Sequence, residues 1–402
     1  MKDRLPLTFI LITMMLDAIG IGLILPVLPS LIQDVDGGTL ADAAIWGGIL
    51  SFAYAVMQFL CGPTIGALSD RFGRRPILLV SLAAMVGYYV VMALAASIWL
   101  LLAGRVVGGV TAATQATAGA FIADISTREQ RAARFGLIGA AFGIGFVLGP
   151  LIGGLLAQYG TRAPFWAAAG LTAANLAFGA LVLPETVTDK TRRAFAWGRA
   201  NPFGAFRQLG KLPGVRRLVV VFFLYQVAFN VYPAIWAFYT EARFGWSPGM
   251  IGASLASFGI AMALVQGVAI RLVLQWLGDR GTVIYGLCFN FFAFMALALV
   301  TDGTTALILT PITALGAVVT PALQGIMSRA VADNAQGELQ GVLSSASALA
   351  MIVSPVVMTQ VFALFTSPAA PVFLPGAPFL VSMVLMVACG AVYLFGRRVD
   401  PG

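Results

Sequence analysis

The chain has 402 residues, of which 60% are apolar and only 10% charged, and its mean hydropathy is +0.93; soluble domains run at about 45–50% apolar and about 25% charged. So little polar surface excludes a water-exposed globule, and stretches of about 20 apolar residues, each long enough to cross a bilayer, fill nearly the whole length. A formal charge of +8 would suit a nucleic-acid partner, but in a membrane protein a basic excess arises from loops on one side.

In chain order, apolar runs between charged or Pro/Gly-marked loops predict spans at 5–32, 43–68, 75–97, 99–122, 134–158, 163–183, 214–240, 247–276, 281–301, 304–331, 337–366 and 374–396. The expected fold is therefore all-α, with twelve transmembrane helices. The first run is too long for a signal peptide and lacks a small-residue cleavage site, so it is expected to remain as the first span. The division between the ninth and tenth spans rests on Asp302 and Gly303 alone. With both termini in the cytoplasm, 21 of the 24 Lys and Arg fall on that side, Arg162 and Arg243 fall outside and Arg105 lies within a span. Asp34, Asp36 and Asp42 fall outside. That asymmetry is what the positive-inside rule requires, and it accounts for the basic charge without nucleic acid.

The longest polar stretch, 184–213, separates a six-span half at 1–183 from a second at 214–402. It carries Lys190, Arg192, Arg193, Arg199, Arg207 and Lys211 interleaved with Phe195, Trp197, Phe203 and Phe206, a pattern suited to a tether lying on an anionic inner leaflet. The halves share weak similarity. Gly136 and Pro150 recur as Gly341 and Pro355 at one offset of 205 residues, TREQRAARFG parallels NAQGELQG, and FGRRP has a degraded echo in LGDRG. Two pseudo-symmetric six-helix halves make a transporter layout.

The strongest local signal is the loop from Gly66 to Pro76, GALSDRFGRRP, between the second and third spans. Gly66 and Gly73 allow a sharp turn, Asp70 can cap a neighbouring helix, and Arg71, Arg74 and Arg75 can pair with acids such as Asp124. This loop resembles the signature loop of the major facilitator superfamily, which implies a latch between the halves. In the fifth span, Gly143, Gly145, Gly149, Pro150, Gly153 and Gly154 permit close backbone approach, and Pro150 bends the helix. This resembles the antiporter motif of facilitator-type exporters. The first span, LDAIGIGLILPVLP from Leu16, is similar to the opening helix of the tetracycline exporters within that superfamily. GRVVGGVTAA from Gly104, Met57-Gln58, FIAD ending at Asp124, RFGW from Arg243 and PALQG from Pro321 extend the resemblance over most of the chain.

Asp17 is the only acid in the interior of a predicted span and Arg105 the only base. An intramembrane carboxylate costs a few kcal/mol unless it is paired or hydrated, so Asp17 is a candidate proton-coupling site, with a structural hydrogen-bonded acid as the plain alternative. Arg105 can pair with Asp17, bind a backbone carbonyl or shape the cavity; the resemblance implies conformational coupling. The tetracycline exporters place acids in the third and ninth spans and a histidine in the eighth, where this chain has Gly87, Asn290 and Met262. Three titratable functions of that family are thus replaced, which leaves Asp17 to couple protons alone or points to another, less charged compound.

Candidate substrate contacts are the interior polar and aromatic residues Tyr54, Gln58, Gln115, Gln226, Asn230, Tyr232, Trp236, Gln266, Asn290 and Gln324. Each is equally suited to interhelix hydrogen bonding, but together they fit a large, amphipathic or weakly polar solute. Gln58 and Gln266 match glutamines of the tetracycline family. There is no histidine and no GxxxxGK[ST] loop, which removes the histidine-dependent triad, a histidine-ligated zinc and ATP-driven transport by this chain alone. Cys61, Cys288 and Cys389 lack metal-ligand spacing and read as packing residues. The expectation is a multi-pass protein of the bacterial inner membrane, monomeric and neither an enzyme nor a cofactor carrier. It would export a small amphipathic drug such as tetracycline by proton antiport and alternating access. A metabolite uptake symporter or uniporter, and a non-transporting sensor or scaffold, are the alternatives.

Overall fold

The computed structural model describes residues 4–112, 114–189, 192–193, 195, 201–204, 212, 214–332 and 335–395. Among them every regular element is helical. The first half runs α1 (Arg4–Ile24), α2 (Leu28–Asp36), α3 (Leu40–Phe72), α4 (Arg74–Leu94), α5 (Ile98–Thr111), α6 (Thr114–Asp124), α7 (Arg128–Leu156) and α8 (Ala163–Val182). The second half runs α9 (Arg216–Phe229), α10 (Val231–Phe244), α11 (Pro248–Leu264), α12 (Ile270–Leu299), α13 (Gly303–Thr313), α14 (Val319–Arg329), α15 (Gln336–Thr366) and α16 (Ala377–Phe395).

Eleven continuous helical stretches are long and apolar enough to cross a membrane, and one of them, Pro248–Leu299, has 52 residues. At about 1.5 Å per residue it would be more than twice the roughly 30 Å hydrocarbon thickness. It is two crossings, because Gly278, at φ 64° and ψ 177°, breaks the helix. The short connections are set by caps. Thr39 and Asp42 exchange hydrogen bonds at the start of α3, the Asp42 carboxylate accepting from the Thr39 amide at 3.0 Å and Thr39 Oγ1 accepting from the Asp42 amide at 3.2 Å. Ser97 accepts from the Leu100 amide before α5, and Asp302 accepts from the Thr305 amide before α13. Asp302 and Gly303 therefore suffice to separate the ninth and tenth spans.

Some boundaries differ from the sequence reading. The first span ends at Ile24, and a turn over Leu25–Val27 leads into α2; Pro26 and Pro29 remove amide donors that one continuous helix over 5–32 would need. The fourth span is split into α5 and α6, and the eighth carries a π-helical turn over Val265–Ala269. Most of the basic linker lies outside the described residues, including Lys190, Trp197, Arg199, Phe206, Arg207 and Lys211.

The chain forms two compact units. Unit 1 comprises Met1–Gly37, Ala53–Pro202 and Pro248–Ala256; unit 2 comprises Gly38–Phe52, Phe203–Ser247 and Ser257–Gly402. Each unit thus takes in the first turns of one span from the other half of the sequence: α11 starts in unit 1, and α3 starts in unit 2. Glycine makes these exchanges possible. A Cβ on Gly154 or Gly252 would overlap the backbone of Pro248 or Pro150, and one on Gly48 would overlap Thr359. The core of unit 1 gathers Phe9, Ile10, Leu78, Leu82, Phe121 and Ile122. That of unit 2 is aromatic, with Tyr232 packed on Phe229, Trp236, Phe258, Phe294 and Phe379 at ring-centroid distances of 4.9–6.0 Å.

Candidate functional site: buried charges and a charged loop

Arg105 sits on α5 with 8% of its surface exposed. The GRVVGG sequence explains how so bulky a side chain is enclosed. A Cβ on Gly108 would run into the Tyr88 ring, and one on Gly109 would overlap the Tyr54 carbonyl and Met57. Bare backbone at these two positions lets α4 and α3 close on α5. The guanidinium then lies over the Tyr54 ring, 5.6 Å from its centroid, a cation–π contact that gains strength away from water. Among the described residues its Nε has no hydrogen-bond partner, a costly arrangement for a buried donor.

Asp17 is 6% exposed on α1. The ion pairs among the described residues are Arg74–Asp70, Arg74–Asp124 and Arg329–Asp279, so neither Asp17 nor Arg105 is in one. The sequence reading offers Arg105 the Asp17 carboxylate or a backbone carbonyl; among the described residues the structure sets it over the Tyr54 ring instead. Tyr54 and Tyr89 nevertheless lie within electrostatic reach of both Asp17 and Arg105. Gly20, three residues on from Asp17, leaves room for the Tyr89 hydroxyl. Asp17 and Arg105 thus share two tyrosine neighbours without forming an ion pair among the described residues.

Asp17 is kept off the helix-packing face of α1 by the glycines of α7. Gly145, Gly149 and Gly153 lie against the backbone carbonyls of Met15, Ile19 and Leu23 in register, four residues apart on both helices, and Gly22 meets Pro150. Two helices that touch backbone to backbone along one stripe leave Asp17, two residues from both Met15 and Ile19, on another face of α1. Gly143 has open space around its Cβ position and plays no part in that stripe.

At the loop between α3 and α4, Arg74 is 9% exposed. It pairs with Asp70 at 2.6 Å and Asp124 at 3.2 Å, and donates to Ser69 Oγ at 2.6 Å. Gly73 has φ 109°, a backbone that favours glycine. The residue that occupies the first amides of α4 is Glu185, not Asp70. Its carboxylate accepts from the amides of Arg74 at 2.9 Å and Arg75 at 3.2 Å, and from Thr186 and Val187 at 2.9 Å each. A side chain on Gly73 would collide with that carboxylate. Arg75 donates to the Ala180 carbonyl at 2.8 Å, Thr186 Oγ1 bonds Asp124 at 3.0 Å, and Arg71 lies over the Phe72 ring. Gly66 has open space around it. Sequence reasoning missed Glu185 because its partners at the start of α4 lie more than 100 residues away.

The substrate candidates divide by burial. Tyr54 and Gln58 on α3 are half-buried in unit 1; Gln226, Asn230 and Gln324 are half-buried in unit 2, and Gln266, in the π turn, is exposed. The side chain of Gln115 lies outside the described residues. Tyr232 and Trp236 are packed in the aromatic core at 3% and 2% exposure, and Asn290 is fully buried. Asn290 Nδ2 donates to the carbonyls of Gly286 at 2.7 Å and Gly316 at 2.9 Å, and a Cβ on Gly316 would overlap its carboxamide. Asn290 is therefore an interhelix tie. Gln226 donates to Ser347 Oγ and accepts from Thr320 Oγ1, both at 3.3 Å, which adds two hydroxyls that the sequence did not single out. Of the replaced family positions, Gly87 is exposed with open space around its Cβ position, and Met262 is half-buried.

The sequence profile of the Major Facilitator Superfamily matches residues 10–355. Class C tetracycline resistance protein of Escherichia coli is 43% identical over 363 residues, covering 90% of this chain and 91% of that one. The class D protein of Salmonella ordonez is 34% identical, with 98% of each chain covered. Among solved structures, the human organic anion transporter MFSD10 superposes with a TM-score of 0.71 at 25% identity, over 97% of this chain and 99% of that one. The profile and the relatives agree with the glycine-packed spans and the charged loop: this chain belongs to the Major Facilitator Superfamily, in the family of the tetracycline resistance proteins, and is a membrane transporter rather than an enzyme.

Proposed function

We propose that the protein exports a small amphipathic drug, tetracycline first among candidates, in exchange for protons. It does so as a monomer in the bacterial inner membrane with both termini in the cytoplasm. Halves at 1–183 and 214–402, joined by the linker 184–213, work by alternating access. The observation that carries this reading is the buried, ion-pair-free Asp17 within reach of the same tyrosines as Arg105. A carboxylate without a fixed counter-ion in an apolar span has a strong reason to take up a proton and lose it again when water reaches it. Arg105, bound to a ring rather than to an acid, is free to respond to that change. Tyr54 and Gln58 in unit 1, and Gln226, Asn230, Gln266 and Gln324 in unit 2, are the proposed substrate contacts. The 43% identity to class C tetracycline resistance protein supports the choice of compound.

One proton moved across about 100 mV is worth about 2.3 kcal/mol, which sustains a gradient of about 50-fold. The test is purified protein in proteoliposomes with an imposed pH gradient, following tetracycline uptake and lumenal pH. Gradient-driven uptake with matching proton efflux supports the proposal; tetracycline-independent lumenal pH overturns the substrate. A second reading has its own support. The similarity to a human organic anion transporter and the unpartnered Nε of Arg105 fit an organic anion as the solute. Competition by anionic against zwitterionic compounds separates the two.

A further inference from the structure

The repeat that Gly136/Gly341 and Pro150/Pro355 mark holds residue by residue across the middle of each half. With the same offset of 205, Gly73 (φ 109°) corresponds to Gly278 (φ 64°), each turning the chain between the second and third spans of its half. The helix after Gly73 ends at Leu94, and the helix after Gly278 ends at Leu299. Ser97 caps the Leu100 amide where Asp302 caps the Thr305 amide. The register also equates Arg74 with Asp279 and Asp124 with Arg329. Both couples are ion pairs, Arg74–Asp124 at 3.2 Å and Arg329–Asp279 at 2.5 Å. The second half keeps the bond of the signature loop but exchanges its charges.

Helix dipoles explain how both polarities hold. Arg74 opens α4 and Asp124 closes α6, so in the first half each charge faces the helix end of its own sign. The Glu185 carboxylate, accepting four amides and two of them at the start of α4, offsets this. In the second half, Asp279 follows the break at Gly278 and Arg329 stands in the last turn of α14, so each charge faces the end of opposite sign. Among the described residues no group lies within 4 Å of the Cβ position of Gly278, whereas Glu185 fills that of Gly73. We infer that Asp279 and Arg329 are the positioning residues of the second half: a charge-exchanged latch that fixes the turn at Gly278 against the end of α14 without an external carboxylate cap. The loop LGDRG lacks the family signature yet performs the same mechanical task.

This pair is partly exposed, its side chains retaining 61% and 40% of their surface, so its strength is salt-dependent and modest. The experiment is hydrogen–deuterium exchange on the full-length protein, reading the amides of residues 279–283 and 74–78. It compares wild type, Asp279→Asn, Arg329→Gln, the single reversals Asp279→Arg and Arg329→Asp, the double reversal, and Glu185→Ala. This readout does not depend on the transported compound, so it stands apart from the proposed function. Each single change in the second half is expected to speed exchange at 279–283 about 3-fold to 10-fold and leave 74–78 unchanged. The double reversal is expected to recover at least half of that protection, and Glu185→Ala to speed exchange at 74–78 only. The Asn and Gln variants carry the test if a reversal fails to fold. Unchanged exchange in these variants, or a double reversal no better than the singles, would overturn the inference.

Discussion

The three charged side chains buried among the described residues, Asp17, Arg74 and Arg105, all belong to unit 1, whereas unit 2 buries Asn290, hydroxyls and a continuous set of aromatic rings. The two halves follow the same register of turns and caps, yet among the described residues only one buries charged side chains. At the position 205 residues after Arg105 stands Thr310, whose hydroxyl donates to the Ala306 carbonyl within its own helix. An ionised group in hydrocarbon costs a few kcal/mol and is kept where it works; a threonine that satisfies itself locally costs little. On the proposed reading, unit 1 carries the proton chemistry and unit 2 supplies a neutral frame with amides for the solute.

The largest effect should come from that contrast itself. Arg105→Ala is expected to lower gradient-driven tetracycline uptake at least 20-fold at equal expression, while Thr310→Ala changes it less than 2-fold; equal losses would remove the distinction between the units. Packing comes next. Gly149→Val places atoms against the Ile19 backbone and Gly22 and should cost about 1–3 kcal/mol, seen as a drop of several degrees in Tm in detergent, with Gly143→Ala silent. Asn290→Leu should cost about 0.6–1.7 kcal/mol, the range of an interhelix hydrogen bond in a membrane, and leave the KM for substrate unchanged. A raised KM would move Asn290 from the frame to the solute.

The smallest effect concerns pH. Hydrogen bonds from the Thr305 amide and hydroxyl hold the Asp302 carboxyl below the usual carboxylate range. A depressed folded pKa stabilises the start of α13 at pH values above the unfolded pKa near 4, and the gain is lost as pH falls through the lower folded value. Amide exchange at residues 303–305, corrected for its intrinsic pH dependence, should therefore speed up below about pH 4 in wild type and show no such step in Asp302→Ala. Ser97 does not ionise in this range, so the equivalent cap in unit 1 should not respond.

Much of this architecture is legible in the sequence. Apolar run length gives the crossings, and the charge asymmetry and the spacing of GALSDRFGRRP and GPLIGG single out the loop and the fifth span. What escapes is set by partners distant along the chain. Glu185 reads as an ordinary acid after a span until the fold brings it to the amides of Arg74 and Arg75. Asn290 and Trp236 have the composition of a binding site, and only packing shows that both are core. Pro26 falls inside the predicted span 5–32 because a proline signals a missing donor without saying whether the helix bends or stops.

The central claim is that Asp17 carries the coupling proton, and the most direct measurement compares two modes of transport in one variant. In proteoliposomes, Asp17→Asn should lose accumulation of tetracycline driven by a pH gradient while retaining tetracycline counterflow, which moves no net proton, within about 3-fold of wild type. Gradient-driven accumulation that survives in Asp17→Asn would contradict the account.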